Sequence, residues 1–349
     1  MTRIAAVAPV LPDFSYSQAE IAAAIAPLLA PELKNRPVVE RMYISSTVER
    51  RYSAVPLERI GEFASLTESN ASWVETAAEL GERAVREALD TVGVSANDVD
   101  LLLFTSVTGV SAPSVDAMIA ERLGMRSDLR RWPSFGLGCV AGAAGLARVH
   151  DYLVSRPTGV AVLLAVELCS LTLQRGDRSM ANFVASGLFG DGAAAVVLLG
   201  DDHPKAIGPR ITATRSALVP ETGGVLGFTL VSTGFEILLT AEVAGVIERA
   251  FPAEVAAVLG ERGLDGLDGL AMVAHPGGPR ILDAFAAALD LPRDRFARSW
   301  DSLAAKGNMS SASVLHVLAD TLAAGEHDAL VFAVGPGVTA EFVVMEAVA

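Results

Sequence analysis

Phe135-Gly136-Leu137-Gly138-Cys139-Val140-Ala141-Gly142 is the stretch from which the rest of the chain can be read. Ala143-Ala144-Gly145-Leu146 and Val149 follow it as a small, apolar, helix-like run. A cysteine set among small residues just ahead of such a run reads as a nucleophile on a sharp strand-to-helix turn. Standing alone, a cysteine is more often an inert core residue. Two later segments change that reading. Ala274-His275-Pro276-Gly277-Gly278 ends an apolar strand-like run, and Lys306-Gly307-Asn308-Met309-Ser310-Ser311 opens a helix-like one. Cysteine, histidine and asparagine then follow one another along the chain, each on a glycine-rich turn.

That trio suits thioester chemistry. A thiol reacts well only once deprotonated, and an imidazole or a helix N-terminus beside it lowers its pKa. The attacked carbonyl, or an enolate left by decarboxylation, gathers negative charge on oxygen. Histidine and asparagine N–H groups aimed there form an oxyanion hole, in which one donor is typically worth about 2.7–4 kcal/mol. Asparagine serves because it donates without surrendering a proton.

The surrounding chain is 349 residues long, which predicts two packed units rather than one core. Hydrophobic residues make up 51% and charged residues 19%, the profile of a deeply buried globular protein. No apolar run reaches spanning length, since residues 160–168 are interrupted by Glu167. Met1-Thr2-Arg3-Ile4 runs straight into a strand-like segment without a signal-peptide pattern. Two cysteines build neither a disulfide framework nor a metal site, so a reducing cytoplasm is expected, with no metal and no tightly bound cofactor. A net charge of −14 argues against nucleic acid. Against that background, Lys34, Arg36, Arg41, Arg50, Arg51 and Arg59 face only Glu40, Glu49 and Glu58, a local +3 that suits a phosphorylated small molecule.

The chain also carries the pattern of a distant duplication. A helix over 74–92 leads through Ser95-Ala96-Asn97-Asp98 to a strand over 99–106, a Thr108-Gly109 turn and a helix over 114–123. A helix over 241–259 leads likewise to a strand over 269–274, the His275 turn and a helix over 280–289. Asp100 and Asp268 occupy matching places in this scheme. Strands over 159–167 and 329–335, then 193–199 and 340–347, extend the match. Buried strands alternating with helices predict an α/β class with sheets covered on both faces. The glycine- and proline-flanked segment 201–208 is the expected boundary. Two related halves, 1–205 and 206–349, should therefore pack their sheets around shared central helices, with the site at their junction.

With these motifs in place, the sequence resembles the type III polyketide synthases, the chalcone synthase-like branch of the thiolase superfamily. The resemblance covers nearly the whole chain. It rests on the Gly-Leu-Gly-Cys139 turn, Leu188-Phe189-Gly190-Asp191-Gly192-Ala193-Ala194 and His275-Pro276-Gly277-Gly278-Pro279. It continues through Gly307-Asn308-Met309-Ser310-Ser311 and Gly335-Pro336-Gly337, the most specific of the set. It implies a thiolase-like αβαβα layered fold and a homodimer. It also implies CoA thioesters as substrates, an acyl-CoA starter and a malonyl-CoA-type extender, condensed repeatedly and cyclised to a pyrone, resorcinol or related aromatic. Cys139 would carry the chain, while His275 and Asn308 would promote decarboxylation and hold the enolate. Phe189 and Phe235 fall at the family's gatekeeper positions, and 335–337 would shape the cavity wall.

The departures are informative. Ser45 and Val38 replace lysines of plant members and leave Arg41 from the family's CoA-contact cluster, so Arg50, Arg51 or Arg280 are expected to assist. Ala112 stands where plant members place a methionine into the partner's cavity. Cys169 replaces a threonine, with Ser170, Leu171 and Thr172 on the same segment. Cys169 and Thr172 are expected to line a cavity suited to an apolar starter. Two other readings stay open: a β-ketoacyl-acyl-carrier-protein synthase III performing a single condensation, and a non-catalytic thiolase-fold binding subunit.

Overall fold

The computed structural model describes residues 1–32 and 36–348, so Lys34 of the basic stretch lies outside the described residues. In chain order the first half contains β1 (Thr2–Val10), β2 (Phe14–Ser17), α1 (Gln18–Leu29), α2 (Arg36–Ser45), β3 (Arg50–Ser53) and α3 (Leu57–Ile60). It continues with α4 (Leu66–Val92), β4 (Leu101–Thr105), α5 (Val115–Arg122), β5 (Arg130–Ser134), α6 (Ala141–Val154), β6 (Val160–Leu168), α7 (Met180–Leu188) and β7 (Asp191–Gly200). The second half contains β8 (Arg210–Leu218), β9 (Leu226–Val231), β10 (Gly234–Leu239), α8 (Glu242–Gly260) and β11 (Ala271–Ala274). It ends with α9 (Pro279–Ala288), α10 (Ala297–Lys306), α11 (Ser313–Ala323), β12 (Ala329–Gly335) and β13 (Thr339–Glu346).

Local chemistry accounts for these elements. β6 and β7 are buried along their whole length, which their unbroken apolar sequences require of strands covered on both faces. α4 buries Trp73, Ala77, Leu80, Ala84 and Ala88 along one stripe and stops at Gly93, in the left-handed region at φ +70°. It begins eight residues earlier than the expected helix over 74–92. Its first two turns are polar and lack apolar periodicity, but the Ser65 side chain caps them by accepting from the Glu68 N–H.

The strands order as β11-β12-β13-β8-β1-β7-β6-β4-β5. On either side of the β8–β1 junction the order runs in mirror image, so β8, β13, β12 and β11 repeat β1, β7, β6 and β4. β5 has no counterpart, because helix α10 occupies the corresponding length of chain. The sequence suggested two separate sheets, but they join edge to edge where Thr2 and Arg3 pair with Ile211 and Arg210. Asp201 latches this junction by accepting from Arg3 Nε at 2.6 Å and Arg210 Nε at 3.0 Å.

α6 and α11 lie between the halves. Leu146, Val149 and Leu153 of α6, with Val314 and Leu318 of α11, pack in one core against Leu163 of β6 and Val331 of β12. α4 and α5 cover the outer face of the first half, and α8 and α9 that of the second. The layers therefore run α-β-α-β-α. One detail of the duplication needs correction. Asp100 directly precedes β4 and accepts from the Val160 N–H, whereas Asp268 sits on a turn three residues ahead of β11. The two aspartates are not equivalent in the sheet register.

Candidate active site

The strand-to-helix turn that holds Cys139 follows β5. Gly138 at φ +58° enters a short 3₁₀ turn that runs on into α6. A Cβ at Gly138 would stand 2.6 Å from Pro336 Cδ, and one at Gly335 would stand 2.5 Å from the Leu137 carbonyl oxygen. Close backbone approach thus seats the Cys139 turn on the 335–337 segment, which only glycine allows.

Asn308 ties the other two turns together. Its Nδ2 donates to the Gly277 carbonyl at 3.2 Å, two residues past His275, and its Oδ1 accepts from the Ser310 N–H at 2.8 Å. Its backbone pairs with the segment around Phe189: the Asn308 N–H donates to Leu188, and the Gly190 N–H to Asn308, both at 2.9 Å. Ser310 adopts φ +46°, a strained position for a residue with a side chain. His275 directly follows β11, is 2% exposed, and keeps both ring nitrogens buried without a hydrogen-bond partner.

Electrostatics sharpen the picture. Burial pushes the Cys139 thiol up to about 12, against a downward pull from Ser310 and Asn308. Burial pushes His275 down to about 3. The sequence suggested a thiol eased toward ionisation by its surroundings; here desolvation opposes the charged form of both the thiol and the imidazole. Neutral His275 keeps one nitrogen able to donate and one able to accept.

Cys139 opens onto a cavity of about 150 Å³. Cys169, Thr172, Phe189, Phe235 and Pro336 line it, as expected, together with Ser310. His275 and Asn308 are not among its lining residues, and Asn308 is bonded to the Ser310 N–H just behind the lining. Gly337, at φ +63°, supports the wall from behind through its carbonyl, which accepts from Thr222 Oγ1 at 2.8 Å. Arg41 lies exposed on α2, and Arg50 and Arg280 are exposed as well. Arg51 departs from expectation: it is 5% exposed and donates to the carbonyls of Ser186 and Phe189, so it is not free to meet CoA at the surface.

Other residues of the site escaped the sequence reading. Phe228 lines the cavity and packs edge-on against Phe235 at 5.3 Å and against Phe135, on the nucleophile's own loop, at 6.2 Å. Glu167 is fully buried and accepts from Thr108 Oγ1 at 3.0 Å and Ser311 Oγ at 2.5 Å, joining the first half to the Asn308 turn. A lone acid inside an apolar strand was the available signal for it. Phe228 had no sequence signal, since only the β9–β10 pairing brings it beside Phe235.

The comparisons with known proteins agree with this arrangement. The family model for chalcone and stilbene synthases matches in two parts, its N-terminal domain over residues 11–203 and its C-terminal domain over 210–349. A 1,3,6,8-tetrahydroxynaphthalene synthase of Streptomyces peucetius is 44% identical, with 99% of this chain and 93% of that one covered. A phloroglucinol synthase of Pseudomonas fluorescens is 29% identical, with 88% and 89% covered. The crystal structure of 1,3,6,8-tetrahydroxynaphthalene synthase from Streptomyces coelicolor superposes with a TM-score of 0.92 at 30% identity, covering 98% of both chains. These matches set aside the single-condensation and non-catalytic readings. The chain belongs to the chalcone and stilbene synthase family and is a type III polyketide synthase, a condensing acyltransferase of thiolase-like fold that builds aromatic polyketides by repeated condensation.

Proposed function

We propose that Cys139 carries the starter and the growing chain, and that His275 and Asn308 activate a malonyl-CoA-type extender. Cys139 Sγ attacks the starter thioester as neutral His275 accepts the thiol proton, and the departing CoA thiolate takes that proton from His275 and leaves as CoA-SH. The extender's thioester oxygen then rests between the His275 N–H and the second Asn308 amide N–H. Loss of CO₂ leaves an enolate whose negative oxygen those donors stabilise. Its carbon attacks the acyl group on Cys139, forming the new C–C bond, breaking the acyl–Sγ bond and leaving the extended chain on CoA. The freed Cys139 thiolate then attacks that thioester, taking the chain back and releasing CoA for the next round. The observation that carries this reading is the position of Asn308, bonded to the His275 turn on one side and beside the Cys139 thiol on the other.

Phe189 and Phe235 would screen the cavity from water, and the 335–337 segment with Cys169 and Thr172 would shape it. Ile21, Ile25, Leu57 and Ile60 make its wall largely apolar, which favours an apolar starter. Exposed Arg41 is our candidate CoA contact, with Arg50 and Arg280 in support. We take 1–205 and 206–349 as the two structural units, and a reducing cytoplasm as the setting for two free cysteines. A homodimer is proposed on the edge strand β5, where Trp132 is 43% exposed and adjoining Phe135 is 53% exposed. Among the described residues no helix is long and apolar enough to cross a membrane.

The test separates the half-reactions. Cys139→Ala should abolish polyketide formation yet retain malonyl-CoA decarboxylation. Asn308→Ala should suppress decarboxylation and still permit acylation of Cys139. Product formation near the wild-type rate by Cys139→Ala would remove Cys139 as the nucleophile.

A further inference from the structure

Arg51, next to exposed Arg50 on β3, is itself buried and has a defined task inside the protein. The last carbonyls of a helix lack partners within it. At the C-terminal end of α7 the usual ladder reaches only as far as Ala185, and the carbonyls after it are met from outside the helix. Ala185 accepts from the Phe189 N–H at 2.9 Å, and Ser186 from Arg51 Nη1 at 2.8 Å. Gly187 accepts from Gln18 Nε2 at 2.6 Å, and Leu188 from the Asn308 N–H at 2.9 Å. Arg51 Nη1 also takes the Phe189 carbonyl at 2.6 Å, while its Nε donates to Gln18 Oε1 at 3.1 Å. One guanidinium and the glutamine it orients therefore hold three of the five carbonyls from 185 to 189, and a cation at a helix C-terminus is itself favourable.

The same side chain abuts the asparagine turn. A Cβ at Gly307, one residue before Asn308, would lie 2.9 Å from Arg51 Cγ, and one at Gly190 would lie 3.6 Å from it. Arg51 thus fills the space between the strand-like pair of Phe189 and Asn308 and the rest of the first half. The guanidinium carbon sits 5.5 Å from the centre of the Tyr43 ring, which limits its swing.

We propose that Arg51 is a positioning residue for the condensation, setting Asn308 and Phe189 in register with each other by clamping the end of α7. This rests on the reading of Asn308 as an enolate donor. Arg51 also lines the cavity, but in this role it acts through the backbone that carries both residues. Extender activation should therefore depend on it more than loading of Cys139 does.

The experiment compares two rates in the full-length protein. One is malonyl-CoA decarboxylation, followed as acetyl-CoA. The other is single-turnover acylation of Cys139 by a starter acyl-CoA, followed by intact mass. A merely structural role would lower the active fraction and reduce both alike. The ratio of decarboxylation to acylation should fall roughly tenfold in Arg51→Met, and about threefold in Arg51→Lys, which keeps charge and donors but loses the fixed fork. If Arg51→Met does not fold, Arg51→Lys decides alone. A ratio within about twofold of wild type in the folded variants overturns the proposal. Asn308→Ala is run alongside: if decarboxylation survives in it, the role of Asn308 fails, and the inference fails with it for that separate reason.

Discussion

Gly142 offers a demanding test of how closely the nucleophile and asparagine turns must meet. It lies in the first turn of α6, three residues past Cys139. A methyl there would overlap the Ser311 carbonyl oxygen and stand 2.7 Å from Val314 Cγ1. The main obstacle is backbone, so no rotamer change relieves it. Restoring an ordinary contact requires the starts of α6 and α11 to part by roughly 1 Å. Overpacking of this kind costs ~1–3 kcal/mol, partly offset by the ~1 kcal/mol that alanine gains over glycine in a helix. The fold should survive with a modestly lower Tm. Catalysis should not fare as well, because a 1 Å misplacement of reacting groups typically costs about 10²-fold. Gly142→Ala is therefore expected to lose about 10²-fold in kcat/KM for aromatic product formed from malonyl-CoA. Gly145→Ala is the control. The nearest atoms to its added methyl belong to the side chain of Leu163, not to backbone, and the position is one turn farther from Cys139. It should keep activity within about threefold, at some cost in Tm. Product assays, differential scanning fluorimetry and intact-mass acylation would be run on both. The reasoning is refuted if Gly142→Ala stays within about threefold of wild type, or if Gly145→Ala loses as much activity.

Cys169→Phe should shorten the accepted starter, since the ring would occupy the cavity beside Cys139. Long acyl-CoA starters should lose kcat/KM steeply while acetyl-primed reactions persist, and equal losses for both would make Cys169 a core residue. Malonyl-CoA decarboxylation by Cys139→Ala should be flat between pH 5 and pH 8, because burial holds His275 neutral down to about pH 3. With a histidine pKa lowered in the fold, acid costs function only below that depressed value. An acidic limb near the ordinary histidine pKa of about 6.5 would show that the imidazole is not buried as described.

Much of this architecture was legible from the residues. Strands buried on both faces must be continuously apolar, which exposed β6, β7, β12 and β13 and their order of repetition. The turns bearing Cys139, His275 and Asn308 were legible because each needs glycine neighbours, either for positive φ or for close approach. Glycine marks such places whatever the tertiary context. The start of α4 was not legible, since a capped polar turn carries no apolar period.

The sequence by itself determined the α/β class, the two repeated halves, the three turns that bear chemistry and the family to which they belong. The tertiary structure alone decided that the two sheets join through β1 and β8. It also decided that Phe228 packs beside Phe235, and that Arg51 is buried and bonds the end of α7 rather than standing exposed. The physical reason is separation along the chain. The Arg51–Phe189 hydrogen bond spans 138 residues, and the Asn308–Gly277 one spans 31. Local composition records what a backbone turn requires of its own residues, but a side chain's partner is set only when distant segments pack together. Desolvation belongs to the same class: nothing local to Cys139 or His275 reveals that the fold around them disfavours the charged form of each.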